Sequence, residues 1–208
     1  MRVLVFARAP VPGRCKTRLI PRLGARGAAW VQRRLLERAL ATAVAAFGAE
    51  ALTLYCAPDS RHPHFRSCQR HWGLRLARQG PGDLGAKMRR ALAGGPALLL
   101  GSDAYALDPE DLRRAATALA DCDYLLIPAP DGGYSLIGAR RPLPSLAGVA
   151  WSSGRERAQS LRRLRRAGQT RELGPARADF DTPADWRRAR RSGELAPLVN
   201  KFQPEQPR

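Results

Sequence analysis

An α/β fold is what this sequence predicts, on three observations. Short apolar runs cut off by turn residues recur at residues 2–7, 51–57, 96–103 and 124–128, and each reads as a strand buried in a sheet. Between them lie stretches whose apolar residues return at helical spacing, of which 25–47 is the longest. The 208 residues show no internal repeat and are enough for one core of useful size. We expect a single domain over residues 1–195 and a tail over 196–208.

Taken in order, the first run ends at Ala9-Pro10-Val11-Pro12-Gly13, and Arg8, Arg14, Lys16 and Arg18 then surround a turn that contains Gly13. Turn amides and such cations are what a triphosphate needs. The spacing is not that of a Walker loop, and a solvated basic loop is the alternative reading. In 25–47, Val31, Leu35, Ala39, Ala43 and Phe47 form an apolar stripe that covers the sheet, with Trp30 as packing. The strand over 51–57 stops at Pro58-Asp59-Ser60. Cys56, His62, His64 and Cys68 have the residue types of a zinc site, but their spacing matches no standard finger, and Pro58 and Pro63 point to a loop.

A short strand is expected at 74–77, followed by a glycine-rich loop with Gly82, Asp83 and Gly85 and a helix starting near Asp83. Glycines there permit positive φ or close approach to the backbone. The run Pro-Ala-Leu-Leu-Leu-Gly-Ser-Asp then carries the Asp103 carboxylate out of the core. In open α/β sheets, ligands sit outside the carboxyl ends of the strands, so Asp103 is a candidate for chemistry; a turn cap is its plain structural role. Asp108 and Pro109 start a helix that reaches about residue 120. The turn Asp131-Gly132-Gly133-Tyr134 leads into a strand over 135–139. Ser153 with Glu156 predicts a capping box for a basic helix up to 167, and Thr182 with Asp185 predicts another start, with Pro183 at the first helical position. Asp179 and Asp181 precede that start one residue apart. In an extended segment they point to opposite sides unless the chain bends, and they are either oxygen ligands for a divalent cation or a solvated turn.

The net charge of +18 and a pI near 11.4 ordinarily suggest a polyanionic partner. Lys16, Lys87 and Lys201 are the only lysines, however, and the excess of Arg, Ala, Gly and Pro matches what GC-rich codons specify. Residues 155–166 and 187–191 are arginine-rich without the interleaved aromatics of a stacking platform, so nucleic acid is the least favoured partner. Cys15, Cys56, Cys68 and Cys122 form no CxxC pair and read as reduced thiols in the cytoplasm. The apolar N-terminus is too short for a signal peptide and no stretch is long enough to span a bilayer, so a soluble protein without a membrane partner is expected.

The segments Phe-Ala-Arg-Ala-Pro-Val-Pro-Gly-Arg-Cys-Lys-Thr-Arg-Leu, Gly-Asp-Leu-Gly-Ala-Lys-Met, Gly-Ser-Asp, Pro-Ala-Pro-Asp-Gly-Gly-Tyr, Val-Ala-Trp-Ser-Ser and Asp-Phe-Asp-Thr-Pro-Ala-Asp, in order from Val3 to about Trp186, together resemble one family. It is an uncharacterised bacterial family of GT-A-fold proteins, often labelled glycosyltransferases, related to phospholactate guanylyltransferase and molybdenum cofactor guanylyltransferase. The resemblance implies a nucleotide-diphospho-sugar transferase fold, a mainly parallel sheet between helices with a nucleotide at its N-terminal half. It implies that Lys16 and Arg18 contact nucleotide phosphates and that Asp103, Asp179 and Asp181 hold a divalent metal, Mg²⁺ or Mn²⁺. The loop with Gly82, Asp83 and Gly85 would lie near base or ribose, and Asp131, Gly132, Gly133 and Tyr134 near the acceptor. Where the family has Cys-Pro-Gly after the aspartate, this chain has Ala104-Tyr105-Ala106.

The leading expectation is a Mg²⁺-dependent nucleotidyltransferase that joins NMP from an NTP to a small phosphorylated or carboxylated acceptor. Such chemistry rests on positioning and charge neutralisation, for which Lys16, Arg18 and Asp103 carry the catalytic burden with Arg8, Gly13 and Arg14 beside them. A glycosyltransferase using an NDP-sugar is the second reading, and a basic nucleic-acid-binding protein without catalysis the third. The density of cations at 14–18 favours a triphosphate over an NDP-sugar.

Overall fold

The structure, a computed structural model, describes residues 1–192. Within them one sheet has the strand order β3-β2-β1-β4-β6-β5-β7, with β1 (Arg2–Arg8), β2 (Leu52–Ala57), β3 (Arg75–Arg78), β4 (Ala97–Gly101), β5 (Tyr124–Pro128), β6 (Tyr134–Ala139) and β7 (Thr170–Glu172). All neighbours are parallel except β6, which runs against β4 and β5. Helices α1 (Ile20–Phe47), α2 (Pro63–Trp72), α3 (Leu84–Ala91), α4 (Pro109–Ala120), α5 (Glu156–Ala167) and α6 (Pro183–Ser192) complete it. The α/β architecture and the mainly parallel sheet are those expected.

The central strands are apolar throughout because both faces are covered. Val3 and Val5 point into a core shared with Leu36 and Leu40 of α1, Phe65 of α2 and Leu112 and Leu119 of α4. Leu4 and Phe6 point into the opposite one with Met88 of α3 and Leu161 and Leu164 of α5. A third cluster joins Leu19, Val31, Leu35, Tyr105, Phe180 and Trp186 beyond the end of the sheet.

Sheet order opens a crevice at one end of the strands. From β1 the chain builds β2 and β3 to one side, then crosses to place β4 on the other, so the loops leaving β1 and β4 part at their shared carboxyl ends. That divergence is the crevice of open α/β sheets.

Four local expectations are corrected. The segment after Pro58 is not all loop: α2 forms because the His62 side chain accepts from the His64 amide at 3.2 Å and Pro63 sits in the first turn, where a missing N–H costs nothing. Strand β7 had no recognisable signal, being three residues paired to β5. Helix α1 starts at Ile20, earlier than the apolar stripe, but Gly24 at φ 67°, ψ 168° breaks it, so the regular helix begins where the stripe does. Ser153 and Glu156 make half a capping box. The Glu156 carboxylate accepts from the Ser153 amide at 2.6 Å, while Ser153 Oγ takes the Arg155 amide and α5 starts without a side-chain cap.

The helix starts at α4 and α6 are as expected. Asp108 and Asp111 cap α4 reciprocally, at 2.7 and 3.2 Å. Asp111 does more: only 1 % exposed, it accepts from Arg114 at 2.5 Å and from Arg177 at 2.6 Å, and so ties the segment before α6 to α4. Burial pushes its pKa up, but the bonds from Arg177, the Asp108 amide and Arg114 hold it below its ordinary value of 3.8. A depressed carboxylate contributes stability that is present above 3.8 and is lost as pH falls through the lower folded value. Replacing Asp111 with Asn should therefore destabilise the protein by about 2–4 kcal/mol at neutral pH, since it leaves Arg177 without its charge partner. Urea denaturation at pH 7 and pH 3 checks this: the gap between wild type and variant should narrow at the lower pH.

Candidate functional site

At the carboxyl end of β4 the chain turns on itself. The Ser102 amide donates to Phe6 O at 2.9 Å, and the Tyr105 amide to Asp103 O at 2.7 Å, so the Asp103 side chain stands at the rim of the crevice, 40 % exposed. Ala104-Tyr105-Ala106, where the family pattern has Cys-Pro-Gly, fills space below. Tyr105 is buried edge-on to Phe180 at 5.8 Å between ring centroids, and Phe180 is edge-on to Trp186 at 6.1 Å. Arg38 Nε donates to Tyr105 O at 2.8 Å.

This aromatic stack brings the second pair of carboxylates to the first. The Phe180 amide donates to Asp103 O at 3.1 Å, and Thr182 and Asp185 cap α6, with Asp185 Oδ2 accepting from both the Asp181 and Thr182 amides. Asp179 and Asp181 flank Phe180 and both interact with the Asp103 group: Asp103 acts electrostatically on Asp179, and Asp181 shares Lys16 with Asp103.

Lys16 sits between them. It is almost wholly buried, and its ammonium donates to Phe180 O at 2.6 Å, Asp181 Oδ1 at 3.2 Å and Asp103 Oδ2 at 3.3 Å. Burial alone would lower its pKa, yet Asp103 and Asp181 raise it above the ordinary value, so it stays charged. Arg18, largely exposed, takes the other Asp181 oxygen at 3.0 Å. The structure thus turns Lys16 toward the carboxylates, while Arg8, Gly13, Arg14 and Arg18 line the open loop. Gly13, at φ 79°, makes the turn that returns the Arg14 amide to Val11 O.

Asp179 is the unresolved charge of the group. Its Oδ1 is buried with no hydrogen-bond partner. Burial raises its pKa well above 3.8; Asp103, Asp131 and Asp181 push it further, and Lys16 only partly offsets them. Among the described residues no three His, Cys, Asp or Glu side chains are grouped closely enough to hold a metal ion as they stand. The donor chemistry nevertheless fits a hard cation: oxygen alone, with one carboxylate oxygen unanswered.

Asp131 is brought to this cluster electrostatically and its own Oδ1 accepts the Gly133 amide at 2.9 Å in the hairpin turn. Gly132 cannot carry a side chain: at φ 88° a Cβ would collide with Gly154 O, and its carbonyl accepts the Arg157 amide at 3.1 Å. The Tyr134 hydroxyl lies against Met88 Sδ at 3.8 Å and Ser160 Oγ at 3.5 Å, and burial pushes its pKa up. In the other loop Gly82 takes φ 92° and Asp83 caps α3 through the Ala86 amide at 2.8 Å. Gly85 is approached by the chain itself, since a Cβ would lie 2.8 Å from Leu146 Cβ and 3.1 Å from the Trp151 ring. Gln32 was not singled out by sequence: buried on α1, it donates to Arg8 O at 3.2 Å and Ser102 Oγ at 3.0 Å, joining the ends of β1 and β4. A glutamine inside the α1 apolar stripe was its only signal.

The family profile described as "Uncharacterized protein conserved in bacteria (DUF2064)" matches residues 39–153. No curated protein matches the sequence. Among solved structures, a candidate nucleotide-diphospho-sugar transferase from Desulfovibrio desulfuricans G20 is similar at 25 % identity and TM-score 0.78, over 99 % of this chain and 100 % of the other. A CMP:2-keto-3-deoxy-manno-octonic acid synthetase complexed with CTP is similar in fold at 16 % identity and TM-score 0.52, over 97 % and 99 %. Rv0371c of Mycobacterium tuberculosis H37Rv, in complex with manganese, is similar in fold at 20 % identity and TM-score 0.50, over 90 % and 97 %. The nucleotide-diphospho-sugar transferase fold is thereby shown for this chain.

An unpaired, crowded carboxylate costs stability, and the sign is fixed by its raised pKa. At low pH Asp179 is protonated in both folded and unfolded chains; as pH rises past 3.8 only the unfolded chain loses the proton readily, so stability falls until the folded value is passed. Asp179→Asn should remove that loss. In EDTA its melting temperature should exceed the wild type's at neutral pH, by a gap that shrinks as pH approaches 3.8; a gap that is constant with pH refutes the assignment.

Proposed function

Because the chain belongs to the DUF2064 family and gathers unpaired carboxylate oxygen beside an exposed cationic loop, we propose that it is a nucleotidyltransferase, moving NMP from an NTP to a small phosphorylated or carboxylated acceptor. The observation that carries this reading is the buried, unpartnered Oδ1 of Asp179 among Asp103, Asp131 and Asp181, at the point where the loops after β1 and β4 part. Solvated turn residues do not bury a carboxylate oxygen unanswered.

In this reading Arg8, Arg14 and Arg18, with Lys16 of the same loop and the amides near Gly13, hold the β- and γ-phosphates. Asp103, Asp179 and Asp181 would hold Mg²⁺ or Mn²⁺, which supplies charge neutralisation at the phosphates when bound. An acceptor oxygen attacks the α-phosphorus, the bond from that phosphorus to the bridging oxygen breaks, and pyrophosphate leaves. No protein nucleophile is needed. Asp131, presented by a turn that Gly132 and Gly154 lock in place, lies where it can orient the acceptor. The backbone loop from Gly82 to Gly85 is left for base or ribose.

A glycosyltransferase using an NDP-sugar is the second reading, favoured by the similarity to the Desulfovibrio protein. Incubating the protein with each NTP and each NDP-sugar in the presence of Mg²⁺ and a mixture of phosphorylated and carboxylated small molecules separates the two. Pyrophosphate release supports nucleotidyl transfer; free NDP without pyrophosphate overturns it. Asp103→Asn should lower Mg²⁺-dependent nucleotide affinity by at least about tenfold, because Asn keeps the shape but not the charge that hard cations require. Its melting temperature should fall only modestly, because the buried Lys16 ammonium keeps Asp181 and Phe180 O as acceptors and Asp179 loses a like-charged neighbour. Equal nucleotide affinities for the two proteins would remove Asp103 from the site.

A further inference from the structure

Resting on that reading of the site, we infer that Lys16 is an exchangeable internal cation. It holds the point where oxygens of Asp103, Asp181 and Phe180 converge until a divalent cation takes that place, and its ammonium then passes to the nucleotide phosphates.

Three oxygens from two separate parts of the chain, Asp103 Oδ2, Asp181 Oδ1 and Phe180 O, lie within 3.3 Å of one nitrogen. Each of the three ammonium protons has an acceptor, and all three acceptors belong to this one cluster. A carbonyl and two carboxylates around one point are a set of ligands a hard divalent cation accepts, at the shorter distances of about 2.0–2.6 Å. The buried Asp179 Oδ1 beside them is a further oxygen that the ammonium leaves unanswered. With one positive charge Lys16 satisfies two carboxylates of a group of four, and a divalent ion brings twice the charge to the same oxygens.

Lys16 is in the left-handed region at φ 46°, ψ 42°, one of two non-glycine residues with positive φ among those described, and it directly precedes a single 3₁₀ turn over Thr17–Leu19. A lysine held in that conformation is strained, and its inward side chain keeps it there. The same loop presents Arg8, Arg14 and Arg18 to solvent, so an ammonium released from the carboxylates emerges among the cations that face a triphosphate. Arg18, on Asp181 Oδ2, keeps that carboxylate compensated until the cation is seated. Divalent cation and nucleotide then support each other's binding, because each takes one side of the ion pair that the other must break.

The experiment uses the full chain after EDTA treatment, as wild type, Lys16→Met and Lys16→Gln; Gln retains a donor for Phe180 O should the Met variant fold poorly. Free Mn²⁺ is followed by electron paramagnetic resonance, first without nucleotide and then with each α,β-methylene nucleoside triphosphate. Without nucleotide, both variants should bind Mn²⁺ on the order of tenfold tighter than wild type. Nucleotide should tighten Mn²⁺ binding by wild type several-fold and by the variants hardly at all. Variant affinities equal to or below wild type overturn the exchange, even where wild type releases pyrophosphate from an NTP and the nucleotidyl-transfer reading stands. Tighter binding by the variants with no response of wild type to any nucleotide supports the displacement of the ammonium by the cation but overturns its passage to phosphates, and with it nucleotidyl transfer. Absence of Mn²⁺ binding from all three proteins overturns both.

Discussion

Four carboxylates cannot share the mouth of one sheet without positive charge between them, and this constraint governs the architecture around Asp103. Coulomb repulsion between neighbouring ionised groups grows as water is excluded, so a cluster assembled by the fold must be answered by a cation or by protons. This protein uses both answers. Lys16 and Arg18 neutralise Asp103 and Asp181, and Asp179, left over, binds its proton more tightly than an ordinary carboxylate. The cost of this arrangement falls on Asp179, whose Oδ1 is buried with no hydrogen-bond partner.

Holding those groups together is the work of an apolar cluster outside the two faces of the sheet. Tyr105 follows Asp103, Phe180 lies between Asp179 and Asp181, and Trp186 is on α6; their edge-to-face stack therefore fixes the positions of three carboxylates through packing that touches none of them. Seen this way, Ala104-Tyr105-Ala106 is a coherent local solution and not an eroded loop. Tyr105 supplies an aromatic wall that a Cys-Pro-Gly segment lacks, and Asp111 with Arg177 fastens the approaching chain from the far side.

Much of this was legible in the sequence, for reasons that differ by element. Strands β1, β2, β4 and β5 were readable because burial on both faces demands unbroken apolar runs, whereas β7, exposed and three residues long, carries no such demand. Helix α2 was hidden because Pro63, taken as a loop marker, occupies the one part of a helix that tolerates proline. Asp103, Asp179 and Asp181 announced themselves by standing at the ends of elements. Gln32, Asp111 and Arg177 did not, since each acts through a partner far away in sequence: Gln32 across 70 residues to Ser102, Asp111 across 66 to Arg177. The inward turn of Lys16 was equally invisible, because a cation next to a glycine turn looks the same whether it faces solvent or a carboxylate 87 residues away.

The strongly basic composition has a local meaning that a net charge of +18 conceals. On α5, the most arginine-rich helix described, Arg157 and Arg165 both reach Glu172, at 3.6 and 3.4 Å, and Arg163 donates to Ala147 O at 2.8 Å. Arg140 and Arg141 converge on Asp123, Arg114 and Arg177 on Asp111, and Arg38 and Arg113 on backbone carbonyls. These guanidinium groups fasten loops and helix ends with the planar, multiply donating geometry that lysine lacks. Arg8, Arg14 and Arg18 differ in place: they are exposed on the loop after β1, where Arg18 pairs with Asp181 at 3.0 Å and Arg8 donates to Arg14 O at 3.4 Å.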